Sequence, residues 1–176
     1  MLSAALGERR PTADVDVLAL RIENDVTSAT TLVREVLGVS CDDGVQFDHA
    51  AMRADMIREN ALYGGVRIVV PVSLDRARCP VRIDLNVGDP ITPAPTHSMY
   101  PALLGEPFAL IGYPLETVLA EKLVTMLDRG VLTTRERDFA DVCLLTNRHS
   151  VSSISLSAAI KVRSTNVQQI GCLLRR

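Results

Sequence analysis

Alternating apolar and polar residues predict three β-strands in the first half of the chain. Residues 14–20 place Asp14 and Asp16 on one face and valines on the other, as the two-residue period of a strand requires. Residues 66–72 form a strongly β-prone run, and residues 81–87 alternate again. We expect these strands to belong to one mixed sheet.

Helical periodicity dominates the second half. A first helix is predicted earlier, over residues 26–37, with Gly38 closing it. From Tyr113 onwards, Pro114 suits a first helical turn and Gly130 suits a helix end. Two more helices are predicted over residues 134–146 and 153–162, and residues 164–176 are expected to be poorly ordered.

Turn and proline signals suggest how these elements are divided. Residues 45–59 are compatible with a strand, a short helix or both, and residues 75–79 are predicted to be a loop. Three prolines between residues 89 and 97 indicate an extended linker. We therefore predict an α/β core with a mixed sheet over residues 1–98, followed by a C-terminal helical part over residues 99–176 that packs on it.

Composition narrows the class of protein. The chain has 176 residues, 47% of them hydrophobic, which is enough for a sizeable core. A net charge of -2 and only six Phe and Tyr residues argue against a global basic field and against base-stacking platforms. Four separated cysteines predict reduced core thiols rather than a zinc site or disulfides. No apolar run is long enough to cross a membrane, and a cytoplasmic protein is expected.

Three acids are candidates for a metal site. Asp14 and Asp16 point to the same side of their predicted strand, where they are either solvated or share a cation, and Mg²⁺ is the natural guest for such oxygens. Asp84 lies in the middle of a strand expected to be central. With the first two acids it would complete a three-carboxylate set able to hold metal ions and take a proton from a hydroxyl. The alternative for Asp84 is an ion pair with Arg82 on the same face.

A lysine and two further acids lie on the predicted C-terminal helices. Lys122 falls within the apolar stripe of its helix, where it either directs a positive charge at a triphosphate or extends its ammonium to water. Asp138 and Asp141 are one turn apart on a shared face, and Arg135 can reach Asp138. A capped, salt-bridged helix start would explain the same pattern.

Taken together, the chain resembles the AbiEii/AbiGii toxin family of nucleotidyltransferases, within the DNA polymerase β-like superfamily, from about Gly7 to about Val162. An Asp-x-Asp strand followed at these distances by an Ala-Glu-Lys-Leu block and an Arg-x-x-Asp-x-x-Asp block is a specific combination. The matching segments are residues 10–16, 63–67, 82–84, 113–123 and 135–141.

The resemblance implies the toxin of a toxin–antitoxin pair. Such an enzyme moves a nucleotide from an NTP to an RNA 3′ end, with tRNA favoured, and so inhibits translation; its partners are the NTP, the RNA and a cognate antitoxin. Asp14, Asp16 and Asp84 would hold Mg²⁺, with Mn²⁺ as a substitute. Lys122 would grip the triphosphate. The other residues that the resemblance assigns to the substrate or its support are Arg10, Thr12, Arg135, Asp138 and Asp141.

Two departures from the family pattern leave alternatives open. The Gly-Gly-Ser/Thr motif expected just upstream of the acids is not found, and Arg137 stands where the family usually has lysine. One alternative is a catalytically inactive protein that keeps the nucleotidyltransferase fold and binds an antitoxin or RNA. Another is a fold whose acids are all solvated and form no site.

Overall fold

The computed structural model describes most of the chain, namely residues 14–57, 64–88, 91–102, 105–129 and 136–173. The chain divides into two compact units, of which one is Pro11–Asp89 and the other contains Pro90–Arg176. The division falls inside the proline-bearing stretch that was predicted to be a linker. The packing of a C-terminal part on the core stays a prediction.

The first unit is built on a five-stranded mixed sheet, and the predicted fold class is confirmed. Strand β1 runs parallel to β5, β5 pairs antiparallel with β4, and both β2 and β3 pair antiparallel with β4. Strand β5 is therefore central, as predicted. The strands are β1 (Asp14–Ala19), β2 (Val45–Phe47), β3 (Arg53–Ile57), β4 (Gly65–Leu74) and β5 (Ala77–Val87).

Helix α1 (Val26–Leu37) packs on one face of this sheet, and the two form a hydrophobic core between them. Its buried residues Ala29 and Val33 pack in the same cluster as Val66, Ile68 and Val70 of β4. Because strand side chains alternate between faces, burying these positions leaves the intervening positions of β4 to the opposite face. That opposite face carries the candidate acids.

The structure settles one expectation that the sequence left open, that residues 45–59 form a strand, a short helix or both, and it corrects two others. Residues 45–59 contain two strands, β2 and β3. The predicted loop at residues 75–79 is a turn of Asp75 and Arg76, and Asp75 has the positive φ of 49° that a tight hairpin turn demands. Cys79 is therefore in a strand. The thiols of Cys41, Cys79 and Cys143 are free but exposed rather than in the core.

In its described residues, the second unit combines a hairpin with three helices. The hairpin was not predicted, because its two strands are short and carry exposed apolar side chains; the rings of Tyr100 and Phe108 pack across it with centroids 5.4 Å apart. The elements are β6 (Thr96–Tyr100), β7 (Phe108–Gly112), α2 (Leu115–Arg129), α3 (Glu136–Arg148) and α4 (Ser153–Leu173).

Leu119 of α2 and Leu145 of α3 are fully buried at the centre of this unit, with Leu156 of α4 packed against them. Helix α4 continues to Leu173, beyond the end predicted at residue 162. The segment contains no proline to stop the helix. None of the helices in the described stretches is both long and apolar enough to span a membrane.

Asp25 supplies the first testable prediction, because it caps α1. Its carboxylate accepts hydrogen bonds from the backbone N–H groups of Thr27 and Ser28, at 2.8 Å and 2.9 Å, and hydrogen bonding to Ser28 lowers its pKa below the ordinary 3.8. Because the pKa of Asp25 is lower in the folded state than in the unfolded chain, its ionised carboxylate stabilises the fold at pH values above the ordinary pKa. That stabilisation is lost as the pH falls through the lowered pKa.

We therefore expect Asp25→Ala to lower the melting temperature at neutral pH, with a difference from wild type that narrows in increasingly acidic buffer. Asp25→Asn, which still caps, should lose less at neutral pH. Thermal denaturation followed by circular dichroism measures both. An Asp25→Ala deficit independent of pH would contradict the charged cap.

Candidate active site

The strand register brings four charged side chains together around Asp84. Asp84 of β5 lies opposite Asp16 of β1 on one side and opposite Arg67 of β4 on the other, and Asp14 lies opposite Arg82. All five residues are on the sheet face away from α1. We call this set, Asp14, Asp16, Arg67, Arg82 and Asp84, the acid face.

Asp84 is buried and is held by Arg67. Its side chain is only 7% exposed, and its two oxygens accept hydrogen bonds from Arg67 Nε at 2.7 Å and Arg67 Nη2 at 2.6 Å. This is the bidentate, charge-assisted geometry in which a guanidinium matches a carboxylate best. The burial that would otherwise be costly for a carboxylate is thereby compensated.

Arg82, the alternative partner considered for Asp84, pairs elsewhere. Its Nη1 lies 3.9 Å from Asp14 Oδ1, and the two side chains are 48% and 40% exposed. An ion pair this long, between side chains this exposed to solvent, contributes little to stability. The alternative of an Arg82–Asp84 ion pair is therefore not borne out, since Asp84 pairs with Arg67 on the neighbouring strand β4.

Arg67 is the functional candidate that sequence reasoning missed, although it lies in one of the matching segments. Asp84 raises its pKa, first through the hydrogen bonds and then through charge, and the charges of Asp14 and Asp16 raise it further. Arg67 is thus within electrostatic reach of all three acids. A signal was present, because Arg67 is the only charged residue in the mostly apolar run 65–74.

Gly65 and the buried Asn86 lie next to the acid face, on the same side of the sheet. Asn86 is 6% exposed and lies opposite Gly65 in the β4–β5 ladder. A Cβ at Gly65 would come within 2.9 Å of the Leu85 carbonyl oxygen and 3.3 Å of Asn86 Oδ1. Glycine is therefore needed here so that β4 and β5 can approach with the amide of Asn86 between them.

The donor set fits a magnesium ion shared with a substrate. Asp16 is exposed and Asp14 is partly exposed, on the same face of one strand. Magnesium typically takes one or two carboxylates together with substrate phosphates. Among the described residues, no group of three or more Asp, Glu, His or Cys side chains is arranged to hold a metal ion. The role of Asp84 as a third ligand stays a prediction.

The second unit contains a separate charged cluster. Lys122 Nζ on α2 donates to Asp138 Oδ1 at 2.7 Å and to Asp141 Oδ2 at 2.8 Å, both on α3. The three side chains are 13%, 6% and 5% exposed. The expectation that the two aspartates share a face is confirmed. The lysine neither extends into open water nor lies against apolar groups alone, because two carboxylates receive its ammonium.

The structure thus brings the predicted site residues together in two sets. Asp14, Asp16 and Asp84 meet on the sheet of the first unit, and Lys122, Asp138 and Asp141 meet between helices of the second. The roles given to these residues by resemblance stay predictions. Three further candidates, Arg10, Thr12 and Arg135, lie outside the described residues.

Comparison with known proteins identified a matching family model. A family model described as "Nucleotidyl transferase AbiEii toxin, Type IV TA system" matches residues 1–170, which is nearly the whole chain. No curated protein matched, and no solved structure matched.

The buried cluster of the second unit generates a stability prediction. Replacing Lys122 by Met removes the cation and leaves two buried carboxylates facing each other, so we expect the free energy of unfolding to fall by about 3–5 kcal/mol. Urea denaturation measures the change. The matched control is Lys161→Met on the exposed side of α4, for which we expect a change within about 0.5 kcal/mol. Equal effects at both positions would show that Lys122 is not a structural ion-pair partner.

Proposed function

The chain belongs to the family of AbiEii nucleotidyl transferase toxins of type IV toxin–antitoxin systems, and we propose that it transfers a nucleotide from an NTP to the 3′ end of an RNA. The preferred RNA in this proposal is tRNA, and modification of its 3′ end inhibits translation. The observation that carries the proposal is the acid face, where two accessible carboxylates on one strand lie beside a fixed guanidinium.

The charges of the acid face suit an NTP bound with a metal ion. Asp14 and Asp16 supply oxygens that Mg²⁺ accepts, and Mn²⁺ takes similar oxygen ligands. Arg67 and Arg82 supply guanidinium groups, which match phosphate oxygens in geometry and charge. A face with carboxylates alone would repel a triphosphate, whereas alternating carboxylates and guanidiniums hold both the metal and the phosphates.

The proposed reaction is an in-line displacement at the α-phosphate. The RNA 3′-oxygen forms a bond to the α-phosphorus as the bond to the bridging oxygen breaks and pyrophosphate leaves. Asp14 and Asp16 would hold Mg²⁺, which supplies charge neutralisation on the phosphate oxygens. The proton of the attacking hydroxyl passes to a carboxylate of the acid face or to water.

The second unit contributes a candidate triphosphate ligand, Lys122. An ammonium has three N–H donors, and Asp138 and Asp141 accept from two of them. In the part of the chain that the structure describes, the third donor has no protein acceptor. In this proposal the two aspartates hold the lysine in one orientation, and its remaining donor binds a phosphate oxygen.

The proposal also assigns a partner and a compartment. A toxin of a type IV system is paired with an antitoxin, and the cognate antitoxin is the expected regulatory partner. NTPs and tRNA are both cytoplasmic, so a toxin acting on them acts in the cytoplasm.

A direct transfer assay tests this function. The purified chain is incubated with Mg²⁺, total tRNA and each α-labelled NTP in turn, and the label is followed into RNA on denaturing gels. We expect transfer from at least one NTP, and loss of transfer by a factor of about 10²–10³ in Asp16→Ala, because a metal-binding carboxylate is removed. EDTA should abolish transfer, and added Mg²⁺ or Mn²⁺ should restore it.

The matched control is Asp42→Ala, which removes an exposed acid of the same unit away from the acid face. Its rate should equal that of wild type. Absence of label transfer from all four NTPs, by a folded protein, would refute the proposed function. Transfer that survives Asp16→Ala would place the chemistry elsewhere.

A further inference from the structure

Arg67 lies at the β4 end of a row of charged side chains that crosses the acid face. It lies one strand from Asp84 and two strands from Asp16 in a single row across β4, β5 and β1. Neighbouring strands are about 5 Å apart, so about 10 Å separates the backbones of Arg67 and Asp16. A long arginine side chain on the same face covers much of that distance. The row therefore brings a cation close to the two accessible carboxylates.

Asp84 uses only one edge of the guanidinium. The two hydrogen bonds engage Nε and Nη2 of Arg67, and a guanidinium carries five N–H donors. Within the described residues, the other three donors have no protein acceptor. The Arg67 side chain is 43% exposed while that of Asp84 is 7% exposed, so Arg67 stays accessible to solvent while it holds a buried carboxylate.

The Arg67 guanidinium lies in a field of negative charge. Besides Asp84, the carboxylates of Asp14 and Asp16 act on the Arg67 guanidinium through charge. A cation held at that position offsets the repulsion that these acids exert on an incoming triphosphate. Because the guanidinium is already anchored, little side-chain entropy is lost when phosphate oxygens bind it.

The same contacts also indicate the role of Asp84. Both of its oxygens accept a short, charge-assisted hydrogen bond from one arginine, and the side chain is buried beneath that arginine. A carboxylate in this arrangement orients its partner, as acids do for bound histidines and arginines in other sites.

We propose that Arg67 binds the phosphates of the NTP and that Asp84 is a positioning residue which orients Arg67, rather than a third metal ligand. The inference rests on the proposed nucleotidyl transfer and names a substrate-binding residue for it. It assigns two functions within the acid face. Asp14 and Asp16 bind the metal ion, and the Arg67–Asp84 pair binds the phosphates.

Binding of Mn²⁺ alone separates this inference from the three-ligand alternative. Electron paramagnetic resonance measures free Mn²⁺ during titration of each variant, without NTP and independently of activity. We expect Asp16→Asn to weaken Mn²⁺ binding about tenfold or more, and Asp84→Asn and Arg67→Gln to change it by no more than about threefold. Weakening in Asp84→Asn equal to that in Asp16→Asn would overturn the inference.

Nucleotide binding supplies the complementary measurement. With the NTP that wild type uses, we expect Arg67→Gln and Asp84→Asn each to raise the KM about tenfold or more, with a smaller change in kcat. The double variant should be no worse than either single variant, because both changes remove the same anchored guanidinium. Arg34→Gln, an exposed arginine of α1, is the control and should match wild type.

The double variant Arg67→Gln/Asp84→Asn also guards against misfolding, since it replaces a buried charge pair by a neutral pair that can still hydrogen-bond. If a single variant does not fold, the double variant must show the raised KM with unchanged Mn²⁺ binding. A KM equal to wild type in the double variant would refute the role of Arg67. Failure of wild type to transfer any nucleotide would instead refute the proposed function, and this inference with it.

Discussion

The parallel pairing of β1 with β5 is the constraint on which the acid face depends. In the observed register, Asp16 lies opposite Asp84 and Asp14 opposite Arg82. A shift of one residue would turn both acids of β1 towards the face that α1 covers. Val15 and Val17 are 49% and 37% exposed, so apolar burial fixes this register only weakly along most of β1. The hydrogen-bonded ladder and the buried Ala19 at the end of the strand must contribute the rest.

Buried acids are compensated by different means in the two units. In the first unit a guanidinium meets one buried carboxylate through two parallel hydrogen bonds and keeps its other edge in water. In the second, a single ammonium divides its donors between Asp138 and Asp141; both carboxylates are buried and the lysine side chain is 13% exposed. Geometry explains the division, because a planar fork suits one carboxylate whereas a compact ammonium can bind several oxygens. In both arrangements, removing one partner destabilises the fold by more than the intact ion pair contributes to its stability.

The helices and strands that have a clear local pattern could be predicted from the sequence. Alternation located β1 and the centres of β4 and β5, and helical periodicity with Gly38 located α1 closely. Oddly placed charges identified Asp84 and Lys122 as residues that need partners. The β6–β7 hairpin was not predicted, because two five-residue strands with exposed apolar positions lack a clear period. The C-terminal extent of α4 was not predicted, because the mixed composition beyond residue 163 shows no clear helical period.

The partners of the charged residues could not be predicted, and the reason is physical. Arg82 is two positions from Asp84 on one strand, whereas Arg67 is distant in sequence and reaches Asp84 only through the β4–β5 register. Residues two apart on a strand share a face but are separated along it, while residues directly opposite on neighbouring strands are closer. The cross-strand pair therefore prevails over the nearer residue in sequence. The same geometry gives Asp14 and Asp16 a nearby fixed cation, which offsets part of their mutual repulsion whether or not a metal ion is bound.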